Sequence, residues 1–142
     1  MSQAAKNIFP RVDHITLTVK DFEKSKEFYK KLFADYLGGS IALDSQYVFG
    51  IKFSNNFLFE VTPEHSEFID SKFNRYQVGL NHFALDLGNK QNIDNIYQKL
   101  LELEVEILDA PTAYPDYAKG YYAVFFQDLN GFKMEFMCYD KI

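Results

Sequence analysis

Two histidines and two glutamates occupy matching places in the two halves of this chain. His14 and His82 each lie near the start of a segment in which apolar and polar residues alternate, and Glu60 and Glu135 each interrupt a later, otherwise apolar segment. A carboxylate buried among apolar residues is costly unless it is paired, hydrogen-bonded or bound to a metal. Imidazole and carboxylate groups together suit one divalent ion of Zn, Ni, Co, Mn or Fe, and the sequence does not choose among these.

Each of these residues also has an ordinary structural explanation when it is taken alone. The repetition favours the metal-ligand interpretation, because both halves supply the same pair and the chain has only three histidines. The third, His65, has no equivalent and is interpreted as structural. The single cysteine, Cys138, excludes an internal disulfide and a cysteine-based zinc site. Strand alternation places it on the face opposite Glu135, where it is expected to pack.

The elements that must position these residues repeat at an offset of 68 positions, which relates His14 to His82, Tyr29 to Tyr97 and Leu32 to Leu100. Alternation over 12–19 and 80–87 predicts the first strand of each half. Apolar residues spaced by three and four predict helices over 21–36 and 89–103, the first capped by Asp21. Three further strands follow in each half, over 40–43, 47–53 and 57–62 and then over 105–108, 121–127 and 132–137. An Asn-Gly pair at 130–131 predicts a hairpin turn.

Each half therefore reads as βαβββ, and the predicted fold is α+β. We expect one domain over 1–142, built from modules at about 10–63 and 79–139 that are joined by a connector at 64–78. The two modules are expected to form a curved eight-stranded mixed sheet around a metal-binding cleft. If a pseudo-twofold axis relates the halves, the two histidines and two glutamates converge on that axis.

Composition narrows the class of protein. The net charge of −5 leaves no basic surplus, which argues against nucleic-acid and anionic-membrane partners. No apolar run is long enough to span a bilayer, and residues 1–7 lack the apolar stretch of a secretory signal, so a cytoplasmic location is expected. Aromatic residues make up 18% of the chain, and a tyrosine-rich stretch suggests a pocket rim formed by Tyr117, Tyr121 and Tyr122. A stacked surface hairpin is an equally good explanation of these tyrosines.

The chain resembles the vicinal oxygen chelate superfamily, which includes glyoxalase I, fosfomycin-resistance thiol transferases, bleomycin-resistance proteins and extradiol dioxygenases. The residues that carry the resemblance lie at 12–19 (VDHITLTV), 25–33, 80–85 (LNHFAL) and 128–135 (DLNGFKME). The resemblance implies that His14, Glu60, His82 and Glu135 are the metal ligands. It also implies a homodimer and a small substrate with oxygens on neighbouring atoms. In a glyoxalase-like mechanism Glu135, or Glu60 by pseudosymmetry, would move the proton.

Three functions remain open at this point. The first is a metal-dependent glyoxalase-like lyase or isomerase. The second is a small-molecule or antibiotic-binding resistance protein without catalysis, a branch that usually lacks the four ligands. The third is an Fe(II) dioxygenase, which needs only His14, His82 and Glu135. Glyoxalase I binds glutathione through basic and amide side chains. In the corresponding stretches of this chain, after Glu60 and before the last hairpin, Val61, Thr62 and aromatic residues stand instead. A different substrate with oxygens on neighbouring atoms, small and either partly aromatic or thiol-free, is therefore expected, and the sequence does not tell whether glutathione or another thiol is used.

Overall fold

The βαβββ order occurs twice in the computed structural model, which describes residues 7–140. Residues 1–6 and 141–142 lie outside the described range, and with them most of the segment inspected for a secretory signal. The first half contains β1 (His14–Val19), α1 (Phe22–Tyr29), a π-helical continuation (Lys30–Tyr36), β2 (Ser40–Asp44), β3 (Phe49–Lys52) and β4 (Leu58–Pro63). A single 3-10 turn (Ser66–Phe68) lies in the connector. The second half contains β5 (His82–Asp86), α2 (Lys90–Glu102), β6 (Ile107–Ala113), β7 (Tyr121–Gln127) and β8 (Lys133–Tyr139).

The strands form two four-stranded mixed sheets, ordered β1-β4-β3-β2 and β5-β8-β7-β6. In each sheet the first strand of the half pairs in parallel with the last, and the other neighbours are antiparallel. The α+β class and the two modules are therefore as expected, but the single eight-stranded sheet is not formed within the described residues. The reason is that β1 and β5 each pair on one side only, so no ladder joins the two halves.

Both helices begin where a polar side chain caps them. Asp21 accepts a hydrogen bond from the Lys24 backbone nitrogen at 3.1 Å, and Asn89 accepts one from that of Asn92 at 2.9 Å. The first predicted helix does not stay α-helical, because it widens into π-helical winding at Lys30. This winding lets the consecutive side chains of Leu32 and Phe33 both enter the core, where both are fully buried.

One apolar core joins the two halves. Strand alternation sends Ile15, Leu17 and Val19 of β1 toward the helices and leaves His14, Thr16 and Thr18 on the other face. The same core takes in residues of α2, β7 and β8, including the fully buried Cys138. The candidate ligands of both halves therefore lie on the faces that the helices do not cover.

A turn of the second half is hydrogen-bonded to the first half. Asn130 Oδ1 accepts from the Lys20 backbone nitrogen at 2.8 Å, and Asn130 Nδ2 donates to Ser25 Oγ at 3.3 Å. The hydroxyl of fully buried Tyr29 donates to the Asp128 carboxylate. We call this group of five residues the turn clasp. It fixes the hairpin between β7 and β8, and hence Glu135, relative to the first half.

Candidate functional site

The first half places His14 and Glu60 on one face of two paired strands. In the parallel register Thr16 lies opposite Glu60, so His14 is two residues earlier on the same face. Thr16 Oγ1 donates a hydrogen bond of 3.0 Å to Glu60 Oε1. Glu60 is half-buried and His14 is exposed. We call this pair the first half-site.

The second half repeats the arrangement with His82 and Glu135. Ala84 lies opposite Glu135, so His82 again precedes the paired position by two residues on the same face. His82 Nε2 is 3.6 Å from Glu135 Oε1, and the Tyr121 hydroxyl donates to Glu135 Oε2. Glu135 is only 4% exposed. We call this pair the second half-site.

An apolar wall surrounds the second half-site and has no counterpart of the same composition in the first. Ala123, Phe125 and Met137 are buried together, with Tyr114 and Tyr121 packed against them. The first half-site instead lies beside threonine hydroxyls, which belong to Thr16, Thr18 and Thr62. The two carboxylates therefore have different surroundings although the repeat makes them equivalent.

Each histidine has a hydrogen-bond partner directly before it in the chain. Asp13 Oδ2 lies 2.9 Å from Nδ1 of His14, and Asn81 Oδ1 lies 2.6 Å from Nδ1 of His82. The hydrogen bond with Asp13 raises the pKa of His14, and the same contact lowers the pKa of Asp13. Sequence reasoning missed both partners, although Asp13 and Asn81 also follow the 68-residue offset.

The four candidate ligands are not brought together within one chain. Among residues 7–140 no group of three or more His, Cys, Asp or Glu side chains is arranged to hold a metal ion. Each half-site offers one imidazole and one carboxylate, which is the right chemistry for a divalent transition metal but too few ligands, because such sites use three or four protein ligands. The donor set is adequate only if a first and a second half-site meet.

The predicted pocket tyrosines are separated by strand alternation. Tyr117 stacks on Tyr114 with ring centroids 4.9 Å apart and meets the edge of Tyr121 at 5.5 Å, so it belongs to the aromatic group around the second half-site. Tyr122 points to the opposite face, where its hydroxyl donates to Asp94 of α2 at 2.6 Å. Burial, followed by this hydrogen bond, raises the pKa of Tyr122 to about 12. Tyr121 and Tyr122 both line a cavity of about 260 Å³ where β7 begins and β6 and β8 end.

A larger cavity of about 420 Å³ lies at the far end of the face that carries the first half-site. Its walls include Thr18, Phe132 and the connector, and His65 is part of the rim. Lys20 Nζ crosses this region to Glu64 at 3.3 Å and to the Ile69 carbonyl at 2.8 Å. Sequence reasoning gave the connector no part in a pocket, because its polar residues show no regular period.

The comparisons with known proteins agree with this architecture. The family model described as the Glyoxalase/Bleomycin resistance protein/Dioxygenase superfamily matches residues 11–136. YqjT, an uncharacterized protein of Bacillus subtilis (strain 168), is 29% identical over 130 residues, which is 86% of this chain and 94% of that protein.

Solved structures share the fold. A glyoxalase candidate from Bacillus halodurans superposes with a TM-score of 0.75 at 26% identity, covering 89% of this chain and 94% of that one. A glyoxylase/bleomycin resistance protein/dioxygenase domain from Frankia sp. EAN1pec also gives 0.75, at 15% identity, covering 92% and 98%. No helix in the described range is both long and apolar enough to cross a bilayer.

Proposed function

Because the chain belongs to the Glyoxalase/Bleomycin resistance protein/Dioxygenase superfamily, we propose that it is a metal-dependent, glyoxalase-like lyase or isomerase of small molecules with oxygens on neighbouring atoms. One observation carries this proposal: in both halves a histidine and a glutamate lie on the same uncovered face of paired parallel strands, at the same register. A structural role for either pair alone would not require the other half to repeat it.

The metal site is proposed to form between two copies of the chain, in a homodimer. The first half-site of one copy, His14 and Glu60, would meet the second half-site of the other, His82 and Glu135. Two observations support this arrangement. One chain supplies only two-ligand sets in its described range. Large apolar side chains also stay exposed, among them Leu43 on the uncovered face of the first half, Tyr139 on that of the second, and Phe68 and Val78 in the connector.

A bound divalent ion would supply a Lewis acid that stabilises negative charge on neighbouring substrate oxygens. The residues of the chain do the remaining work. His14 and His82 would hold the ion together with the carboxylates. Glu135 would take a proton from the carbon next to a carbonyl and return it to the adjacent carbon, with Glu60 as the pseudosymmetric alternative. The apolar wall around Glu135 would limit the access of water to that carboxylate.

The substrate is proposed to be small and partly apolar rather than a glutathione conjugate. The support for this is the aromatic surface that Tyr117 and Tyr121 present beside the second half-site. Lys133, a cation on the same strand face, lies over the Phe125 ring with Nζ 4.7 Å from its centroid. Tyr122 would contribute only through the cavity at the start of β7, because its hydroxyl is held by Asp94 on the opposite face of the sheet. Methylglyoxal and aromatic α-keto aldehydes, each tested with and without glutathione, are the first substrates to compare.

The test is metal content per chain combined with mixed dimers. Wild-type protein without a histidine tag should retain about one divalent ion per chain, and His14→Ala and His82→Ala should each lose it. Dimers purified to contain one chain of each variant have one doubly damaged site and one intact site. They should therefore recover about half of the wild-type metal content.

His65→Ala is the matched control and should leave metal content unchanged. Failure of the mixed dimer of His14→Ala and His82→Ala to recover metal would contradict a site shared between copies. Wild-type protein that binds no metal after incubation with Zn, Ni, Co, Mn and Fe(II) would refute the enzyme proposal. The 420 Å³ cavity would then favour the second candidate, a small-molecule-binding protein without catalysis, which binding measurements on metal-free protein would test.

A further inference from the structure

We propose that Asp13 and Asn81 are a matched pair of positioning residues, which hold the proton of His14 and His82 on Nδ1 and leave each Nε2 lone pair as the ligand atom. The purpose of this arrangement rests on the proposed function. The position of the proton is a property of the metal-free chain, so the positioning by Asp13 and Asn81 can be tested separately from the proposed function.

For His14 the chemistry of the partner decides which ring nitrogen carries the proton. Asp13 Oδ2 is 2.9 Å from Nδ1, and an ionised carboxylate can only accept hydrogen bonds. Nδ1 must therefore donate. In the neutral imidazole the other nitrogen, Nε2, is then unprotonated and available as a ligand.

For His82 the orientation of an amide decides the same question. Asn81 Nδ2 donates to the Arg75 carbonyl oxygen at 3.4 Å, which turns Oδ1 toward the imidazole. Oδ1 lies 2.6 Å from Nδ1 and accepts from it. The remaining nitrogen of His82, Nε2, is the one that faces Glu135 Oε1 at 3.6 Å. The unprotonated nitrogen and the carboxylate are thus on the same side of the ring.

The repetition argues against a chance surface contact. Both partners directly precede their histidine, both contact Nδ1, and the two pairs are related by the same 68-residue offset as the histidines. The Asp13 side chain is 73% exposed, so its contact with His14 adds little to stability. Orienting a metal-binding imidazole through its second nitrogen is a role that an exposed partner can perform.

The two halves differ in the charge of the partner. Asp13 is an anion and makes the His14 ring a stronger electron donor, whereas Asn81 is neutral and only orients the His82 ring. Exchanging the two residue types, as in Asp13→Asn and Asn81→Asp, keeps an oxygen acceptor at each Nδ1. Removing the acceptor, as in Asp13→Ala and Asn81→Ala, does not. These two kinds of variant separate orientation from charge.

The first measurement is nitrogen-15 NMR of the imidazoles in metal-free protein at alkaline pH, where the rings are neutral. The three histidines are assigned from His14→Gln, His65→Gln and His82→Gln. We expect pyrrole-type Nδ1 and pyridine-type Nε2 for His14 and His82. His65 is the internal reference, because its Nδ1 lies 3.8 Å from Glu67, beyond hydrogen-bond distance. The reverse assignment for either of the two histidines in the wild type would overturn the proposal.

The second measurement adds Co²⁺ titration followed by its visible absorption spectrum. Each alanine variant should lose the Nδ1 preference and bind Co²⁺ about 10- to 100-fold more weakly, while the exchange variants keep the preference and most of the affinity. Asp70→Ala, an exposed connector carboxylate, is the control. Alanine variants that keep the wild-type tautomer would contradict the proposal. If the wild type shows the expected tautomers but binds no Co²⁺, the positioning holds and the proposed function fails.

Discussion

The hydroxyl of Tyr121 donates a hydrogen bond to Glu135 across the two neighbouring strands β7 and β8. The second half thereby fixes its carboxylate with a phenol from the apolar wall. In the first half the Thr16 hydroxyl donates to Glu60 instead. The position in the second half that is equivalent to Thr16 is Ala84, which has no hydroxyl and cannot donate to Glu135. Two glutamates that the repeat makes equivalent are therefore held by different donors, and their surroundings differ in polarity.

Tyr121→Phe should destabilise the fold by about 1–3 kcal/mol, since it removes a donor from a nearly buried carboxylate. Thr16→Val should cost less than about 1 kcal/mol, because water can reach half-buried Glu60 and replace the lost donor. The free energy of unfolding from urea titration measures both. Tyr139→Phe, on an exposed ring that contacts Tyr121 by its edge, is the control. Equal losses at Tyr121 and Thr16 would contradict this difference between the half-sites.

Tyr29→Phe should also cost about 1–3 kcal/mol, because Tyr29 is fully buried and its hydroxyl is a donor to buried Asp128 in the turn clasp. Tyr97→Phe is the matched control, since Tyr97 occupies the equivalent helix position but its hydroxyl makes no hydrogen bond to a residue within 7–140. Thermal and urea unfolding should show one transition that shifts only for Tyr29→Phe. An unchanged unfolding midpoint for Tyr29→Phe would show that the hydrogen bond from Tyr29 to Asp128 does not stabilise the fold.

Stability should fall at alkaline pH partly because of Tyr122. Its pKa is raised to about 12, first by burial and then by the hydrogen bond to Asp94. A folded-state pKa above the unfolded value of about 10 gives stability that is present below pH 10 and lost as pH rises toward 12.

Between pH 10 and 12, Tyr122→Phe should therefore flatten the decline in the free energy of unfolding by up to about 1.4 kcal/mol per pH unit. Urea titrations at pH 8, 10 and 11 measure this slope. Buried Tyr29, whose pKa is also raised, keeps part of the decline in the variant. A variant whose slope matches that of the wild type would show that Tyr122 ionises as readily in the folded chain as in the unfolded one.

Gly120→Ala should disrupt the segment that carries the aromatic group around the second half-site. Gly120 has φ of +77°, and an added Cβ would lie 2.2 Å from the Asp140 carbonyl oxygen. Gly38→Ala is a close control, because Gly38 has φ of +80° and open space around the Cβ position. The control should lose about 1–2 kcal/mol from backbone strain alone. Gly120→Ala should lose more and should change the near-ultraviolet circular dichroism of the tyrosines. Equal losses would rule out the close contact.

Local patterns predicted the elements well because local forces set them. Alternation located β1 and β5, and the cap at Asp21 marked the start of α1. The change to π-helical winding at Lys30 was not predictable, because its apolar stripe fits an α-helix until the two fully buried neighbours Leu32 and Phe33 are known. The four strands of each sheet were predictable from the repeat. Whether a ladder joins β1 to β5 was not, since pairing between the two halves is a non-local event that periodicity does not report.

Part of the candidate site could also be predicted from local sequence patterns. The repeat identified His14, Glu60, His82 and Glu135 as equivalent residues, and the structure places them in pairs. Thr16 is on the His14 face by simple alternation and could have been found. The contact of Tyr121 with Glu135 requires the register of β7 on β8. Tyr122, as the immediate neighbour of Tyr121 on a strand, could have been separated from it by alternation alone.

The turn clasp also bears on what happens when the chain is cut. The connector is exposed around Ser71 and Lys72, which makes it a natural point of proteolytic nicking. A single cut there would leave the hydrogen bonds of the clasp in place, because none of them is made by a connector residue. The connector contacts next to the clasp and the core, from Ile69 to Lys20 and from Phe73 to Phe132, lie on either side of the cut. The two fragments are then expected to remain a noncovalent pair, and separately produced halves are expected to reassemble by fragment complementation.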